Sequence, residues 1–305
     1  MRRLPVVVVG LLSGAVVGGL LDGIVWPGSA LALFRPQLTL LLVLGALVAL
    51  VLRDRRAAIA GIAIASLGGV LLIATLRDPE AEPPPAGSRT VKVLTLNLWH
   101  RNDDVAAVAE LIRRERPHIV ALLELTPRWS RALAPALRPY RTRAVEPREG
   151  SIGIGLYARA HLGDPRLVRP VAGGRRAVEA RLELADRAGA LLVAHPPGVL
   201  LPGTGAAHER ELAAIGDWAR RHGKLSVVCG DLNAAPWTRS LRDARAKGAL
   251  RAVFPGGLFA GSWPALVPPL RVAIDGCLVG EGIKARAELG PRAGSDHLPV
   301  LVELA

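Results

Sequence analysis

The apolar residues of this chain are crowded into its first quarter, and that asymmetry constrains the fold more than any other feature. Three apolar runs occupy residues 4–25, 37–52 and 57–76. The first is interrupted only by Ser13, several glycines and Asp22, and the third carries no charge. A membrane-spanning helix needs about 20 apolar residues. The first and third runs meet this length, and the second does so only by drawing on residues 31–34. A cleaved signal peptide is the rival reading of the first run, but soluble sequence should then follow. More apolar sequence follows instead, so residues 1–76 read as a transmembrane segment of three helices. Arg2 and Arg3 precede the first run, and Arg53, Arg55 and Arg56 separate the second from the third; Arg35 alone lies between the first two. Basic flanks favour the cytoplasm. The N-terminus and the 53–56 turn are therefore expected inside, with everything after residue 76 outside, Arg77 being offset by Asp78 and Glu80. If the second run did not cross, the remainder would lie in the cytoplasm. Residues 77–88 are polar and proline-rich and read as a semi-rigid spacer, followed by one soluble domain over 89–305.

The net charge of +13 favours acidic partners: phosphorylated substrates, anionic lipid or nucleic acid. Only Lys92, Lys224, Lys247 and Lys284 are lysines among 39 basic residues, and no long basic run occurs. The charge thus reflects a general arginine bias as much as a binding stripe, which argues against nucleic acid as the main partner. Cys229 and Cys277 are too few for a disulfide framework or a zinc site. Each lies in a short apolar run, and buried free thiols are the expectation, a single disulfide being the alternative outside the cell.

Within 89–305, β-branched or apolar runs predict strands at 91–96, 118–125, 151–157, 177–184, 190–194, 225–229, 272–279 and 298–304. Asp103 or Asp104 caps a helix reaching Arg116, with Val105, Val108, Leu111 and Ile112 on one face. Thr126-Pro127 opens another helix, and 209–221 is an amphipathic helix ending at Gly223. Strands with intervening helices predict a layered α/β domain.

Polar residues collect where these strands end, at Asn97, Glu124, His195 and Asp231 with Asn233, while Asp275 lies inside a predicted strand and Asp296-His297 precedes the last one. Carboxylates in apolar surroundings cost free energy unless paired or metal-bound. So many carboxylates, amides and imidazoles at strand ends point to a site for a hard metal and a phosphate.

The segments VLTLNLW, HIVALLEL, GLYAR, VAHPP, GDLNAAP, IDGCLV and SDHLPV occur in the order of the endonuclease/exonuclease/phosphatase superfamily, and the domain resembles that family. The resemblance implies a four-layered α/β sandwich of two mixed sheets flanked by helices, and a phosphoesterase dependent on Mg2+ or Mn2+. Glu124, Asn97 and Asp296 match positions around the metal. Asp231 matches the aspartate that activates water, Asn233 the amide on a phosphate oxygen, and His297 the histidine at the phosphoryl group, with Asp275 fixing its tautomer. His195 matches a phosphate-contacting histidine. Arg175 and Arg176 stand where members carry a basic loop that binds substrate. Ser295 reads as a turn residue and Tyr157 as packed in the sheet. Trp237 and Trp263 either line the cleft mouth or staple loops. Leu123 replaces a frequent glutamine, Gly276 a frequent histidine, and Pro196-Pro197 alters the usual sequence after His195. The layout of three spans and this domain is similar to membrane-anchored actinomycete members linked to teicoplanin resistance. It implies an enzyme acting on a cell-envelope phosphate, including undecaprenyl-type lipid phosphates. An extracellular tethered nuclease and a non-catalytic phosphate- or lipid-binding module are the alternatives.

Overall fold

A computed structural model describes residues 4–76, 80–184 and 187–305. Arg2, Arg3, Arg77 and Asp78, used in the topology reading, lie outside them. The first helices are α1 (Leu4–Gly18), continued by a 3-10 turn at Gly19–Leu21, then α2 (Gly28–Leu33), α3 (Arg35–Val51) and α4 (Arg55–Leu76). Helices α1, α3 and α4 pack on one another through Val9, Val16, Leu42, Ala49, Ala58 and Ala65. Small residues let them approach closely; a Cβ at Gly61 would lie 2.9 Å from the Ala46 Cβ. Their outer faces leave Leu11, Leu44, Leu47, Ile59, Val70 and Ile73 exposed. The stretches Leu4–Leu21 and Arg55–Thr75 are long and apolar enough to cross a membrane, whereas Arg35–Val51 is shorter.

The remaining elements are β1 (Val91–Asn97), α5 (Val105–Glu115), β2 (Ile119–Leu123), α6 (Pro127–Ala132), α7 (Ala134–Leu137), β3 (Thr142–Glu146), β4 (Ile154–Ala158), β5 (Leu162–Val168), β6 (Ala177–Leu184), β7 (Arg187–Ala194), α8 (Gly205–His222), β8 (Ser226–Asp231), α9 (Arg239–Gly248), β9 (Leu250–Val253), β10 (Asp275–Gly280), β11 (Ala285–Leu289) and β12 (Val300–Leu304). They form two six-stranded mixed sheets, ordered β11-β12-β1-β2-β4-β3 and β5-β6-β7-β8-β10-β9. Only β1–β2 and β7–β8 are parallel; the other pairs run antiparallel. Helices α5, α6 and α7 cover the outer face of the first sheet and α8 and α9 that of the second. The four-layered sandwich expected from the sequence is therefore the fold.

The alternation of side chains along a strand decides what faces what. In β1, Val91 and Val93 enter the core between the sheets, while Leu94 and Leu96 pack beneath the helices. Each buried Leu contributes about 1.5–3 kcal/mol of transfer free energy. The same parity puts Leu191 and Val193 of β7, Val227 and Cys229 of β8, and Cys277 and Val279 of β10 in the inter-sheet core. Continued by one further step of two, or by two steps in β1, it aims Asn97, His195, Asp231 and Asp275 into the space between the two sheets at one end of the sandwich.

The expectation of free thiols is corrected here. Cys229 and Cys277 are register partners on the antiparallel pair β8–β10 and form a disulfide. Their sequence separation of 48 hid a direct cross-strand pairing. The described part of the spacer is also docked: Ala81 N donates to Ala252 O, and Ala285 N to Glu82 O.

Candidate active site

Asp231 occupies the centre. It ends β8 directly after Gly230, whose φ of +150° and close approach to β7 require glycine; an added Cβ would meet Ala194 O at 2.0 Å. The Asp231 carboxylate is 1% exposed. Its Oδ2 accepts from Asn97 Nδ2 at 3.0 Å and lies 3.4 Å from His195 Nε2 and 3.9 Å from His297 Nε2. Its Oδ1 accepts from the backbone N–H of Asn233. Burial opposes its ionisation, but the charge on His297 and the contacts from His195 and Asn97 outweigh burial and hold the carboxyl well below its usual range.

Asp275 is the cross-strand partner of Asp231. Its Oδ2 accepts from Ser262 Oγ at 2.6 Å and from His297 Nδ1 at 2.7 Å. Burial pushes the Asp275 carboxyl up, and the charge of Asp231 adds to this. Burial alone would lower the imidazole, but Asp275 and Asp231 together push it up to about 10. Both partners thus move upward, and one proton is at stake between them. It resides on His297, because two carboxylates flank that ring and Asp275 Oδ2 already accepts from Ser262. Ser295 buttresses the arrangement, donating to Asn97 O at 2.7 Å and accepting from His297 N at 3.0 Å.

Glu124 follows β2 in a left-handed conformation, φ +53°, which turns its side chain toward Asn97. Its Oε1 accepts from Asn97 Nδ2 at 3.3 Å, and its Oε2 accepts from the His100 backbone N–H and lies 2.7 Å from His100 Nδ1. Burial opposes the charge of Glu124, yet the His100 and Asn97 hydrogen bonds and the nearby His195 pull its carboxyl below the ordinary value. Asp296 receives Trp263 Nε1 on Oδ2 at 3.2 Å; its Oδ1 is buried without a hydrogen-bond partner, 4.0 Å from His297 Nε2.

The structure brings together Asn97, Glu124, His195, Asp231, Asp275, Asp296 and His297. Asn233 is adjacent, but its Nδ2 donates to Pro196 O at 3.0 Å and holds the loop after His195. Arg175 reaches the site edge, its Nη1 donating to the carbonyls of Ser151 and His195 at 3.3 Å. Arg176 instead pairs with Glu146 at 3.0 Å. Trp263 does line the site, whereas Trp237 staples the domain to the helical segment, donating to Ala32 O at 2.9 Å. Tyr157 packs under the first sheet as expected. Gly276 is explained by Phe254, whose ring would lie 2.8 Å from an added Cβ. His100, Ser262 and His208 were missed. His100 follows the LTLNLW motif closely enough to have been read as its polar end; Ser262 carries no sequence signal.

His208 on α8 supports the loop after His195. Its Nδ1 donates to Pro197 O at 2.8 Å, and Nε2 contacts Ser240 Oγ. Burial pushes its pKa down to about 4. The unfolded chain therefore binds the extra proton between about pH 6.5 and 4. Stability is full above pH 6.5 and is lost as pH falls toward 4, by on the order of 3 kcal/mol. Urea unfolding at several pH values should show this loss, and His208→Gln should flatten it. An unchanged acid slope in the variant would exclude His208 as its source.

The profile of the Endonuclease/Exonuclease/phosphatase family matches residues 94–297. The chain belongs to the endonuclease/exonuclease/phosphatase family. Comparison with curated protein sequences gives no match. Among solved structures, a humanized D. rerio TDP2 carrying 14 mutations superposes with a TM-score of 0.59 at 11% identity, covering 72% of this chain and 100% of that one. The human Nocturnin catalytic domain with bound sulfate gives 0.56 at 15% identity, over 76% and 98%. Sphingomyelinase C from Streptomyces griseocarneus gives 0.53 at 14% identity, over 71% and 99%. At these identities the likeness is one of fold. The endonuclease/exonuclease/phosphatase sandwich thus presents this polar cluster between the sheet ends, as the strand parity requires. Its acidic group of Asp231, Asp275 and His297 has ligand atoms within 4.8 Å of one another, close enough for one cation.

Proposed function

We propose that this chain is a membrane-anchored, divalent-metal-dependent phosphoesterase acting on a phosphate ester or pyrophosphate of the cell envelope, with an undecaprenyl-type lipid phosphate as the substrate class. The observation that carries the reading is a buried carboxylate, Asp231, facing two histidines where the domain meets the apolar helices. Phe34, between α2 and α3, lies 6.3 Å from the Trp263 ring, and Trp263 lies 6.3 Å from the His297 ring. Arg35 donates to Trp237 O, Gln37 to Arg271 O, and Arg239 N to Asp22. The site therefore stands at the domain-proximal end of the helices.

The topology reading gains support from the same contacts. Asp22 and Arg35 meet the domain, whereas Arg53, Arg55 and Arg56 lie at the opposite turn between α3 and α4. Basic residues at that end fit a cytoplasmic turn and an extracytoplasmic domain. A disulfide fits an oxidising compartment. A glycopeptide-resistance role stays a proposal resting on the resemblance of the layout.

Asp231, held ionised, takes a proton from the attacking water; the water oxygen bonds to phosphorus as the phosphorus–oxygen bond to the leaving group breaks. His297, kept cationic by Asp275, and His195 donate to phosphoryl oxygens and stabilise the charge that develops there. Glu124 and Asp296 would supply carboxylate oxygens to a divalent metal, Asp296 Oδ1 being buried and unpartnered, and Asn97 donates to both Glu124 and Asp231. Magnesium or manganese held by these residues would supply positive charge to the phosphoryl group. The acidic group around His297 fits a cation less well, because His297 Nδ1 is already committed to Asp275. Glu124→Gln should weaken Mn2+ binding, followed by titration calorimetry, about tenfold or more, and Asp275→Asn should leave it nearly unchanged. The reverse result would move the metal to the His297 group.

The reading is tested by a hydrolysis panel on the full chain in detergent micelles or nanodiscs, with and without chelator. Magnesium-dependent release of phosphate from a polyprenyl phosphate or diphosphate is the expected result. Preferential cleavage of DNA would favour the nuclease; metal binding without turnover of any phosphate would leave a binding module.

A further inference from the structure

Beside the catalytic cluster lies a second cavity, of about 490 Å³, between the 169–176 loop, the start of α8 and the end of β3. Arg148, Arg169, Arg175, Arg176 and Arg210 line it, against two carboxylates, Glu146 and Glu211. Glu146 is taken up by Arg148 at 2.6 Å and Arg176 at 3.0 Å. Glu211 accepts from the backbone N–H of Arg175 at 2.8 Å. The guanidinium of Arg175 is spent on the carbonyls of Ser151 and His195, and that of Arg169 on Gly174 O. Arg210 is exposed to the cavity and makes no ion pair among the described residues. Arginines thus outnumber carboxylates five to two around one concave space. Such an excess favours a bound anion, and guanidinium forks match phosphoryl oxygens.

The cavity is joined to the catalytic centre. Arg175 lines it and bonds to the His195 carbonyl, while the His195 ring reaches Asp231. Pro197, two residues past His195, is part of its wall, and Ile152, 52% exposed, forms an apolar lip. We propose that this cavity is a subsite for a second phosphoryl group of the substrate, so that the enzyme selects a diphosphate over a simple phosphate ester. The proposal rests on the phosphoesterase reading above. A nucleic-acid strand would also bring a second phosphate, but the arginines here line one recess with an apolar lip.

The test uses the full chain in detergent. In the Asp231→Asn background, calorimetric titration compares inorganic pyrophosphate, inorganic phosphate and a single-stranded oligonucleotide. Pyrophosphate should bind about tenfold tighter than phosphate. Arg210→Glu should cut that preference about fivefold or more, with Arg210→Lys keeping only part of it, because an ammonium supplies the charge without the fork. In the active chain, the ratio of kcat/KM for a prenyl diphosphate to that for bis-p-nitrophenyl phosphate should fall in Arg210→Glu by a similar factor, through KM. Equal binding of phosphate and pyrophosphate, or a preference unmoved by Arg210→Glu, overturns the subsite. So does an Arg210-dependent affinity for the oligonucleotide that exceeds the one for pyrophosphate. If no substrate is turned over but the titration shows the Arg210-dependent preference, the subsite stands and the hydrolase reading falls.

Discussion

Asp231→Asn should lower kcat on the order of 10³- to 10⁴-fold, the contribution of a positioned general base with its surrounding charge network. The substitution preserves shape and the hydrogen bond from the Asn233 backbone. It removes the charge that His195, His297 and Asn97 converge on. KM should change by no more than about twofold, because ground-state contacts to phosphate come from the histidines. His297→Gln should produce a comparable loss, and the double variant should lose little more than either alone, because the two residues act as a unit. A fully additive double variant would show that Asp231 and His297 serve separate steps. An Asp231→Asn enzyme retaining most of its kcat would remove the aspartate from the role of base.

That centre was legible in the sequence because it is local in kind: Asn97, His195, Asp231 and Asp275 stand at the tips of apolar strands, and His297 lies in the loop that leads into β12. Buried strands have little latitude in composition, so Val91–Asn97, Ala177–Leu184 and Ser226–Asp231 announce themselves, and the polar residues Asn97 and Asp231 at the tips of the first and last stand out. The four strands that the sequence reading did not find, β3, β5, β9 and β11, are the four edges of the two sheets. An edge strand pairs on one side only, and natural edges carry charge or proline. β5 contains Pro165 and a register shift between Gly163 and Arg166, and β11 reads ARAEL with arginine and glutamate pointing out. The α9 helix was missed for a related reason: of its ten residues only Leu241, Ala244, Arg245 and Gly248 are buried.

What joins the site to the apolar helices was not legible at all. Trp237 and Trp263 sit in loops without periodicity, and their partners Ala32, Leu33 and Phe34 lie some 200 positions away, at sequence separations such as 205 for Trp237 and Ala32. Leu33, Leu72, Val199, Ala235, Trp237, Val272 and Ile274 close a small core of their own across that junction. The helical segment is therefore a wall of the domain as well as its anchor, which is why the full chain is the proper material for every measurement proposed. Asn233 shows the complementary limit. The GDLNAAP motif placed it beside Asp231, but only the fold reveals that its amide is held by Pro196.

Reduction of the Cys229–Cys277 disulfide should cost about 4 kcal/mol of stability, the chain-entropy value for closing a loop of its 48-residue separation. The consequence for the site should be larger than for a remote cross-link. Asp231 and Asp275 face each other on the same two strands, two positions beyond the cysteines. Like charges directly opposite across a sheet repel, and both side chains are 1% exposed, where screening is weak. His297 offsets the repulsion from one side, and the disulfide restrains the strands from the other. Thermal unfolding of the full chain in detergent should therefore fall by roughly 8 °C or more on reduction, at about 2–4 °C per kcal/mol for a domain of this size. The Cys229→Ala, Cys277→Ala double variant should fall with it and lose its response to reductant. Its kcat should fall more than its KM rises, because loosened strands displace the base while leaving the Arg210 cavity, built from α8 and the 169–176 loop, in place. A reduced enzyme with unchanged melting and unchanged kcat would show that packing alone holds the two aspartates in register.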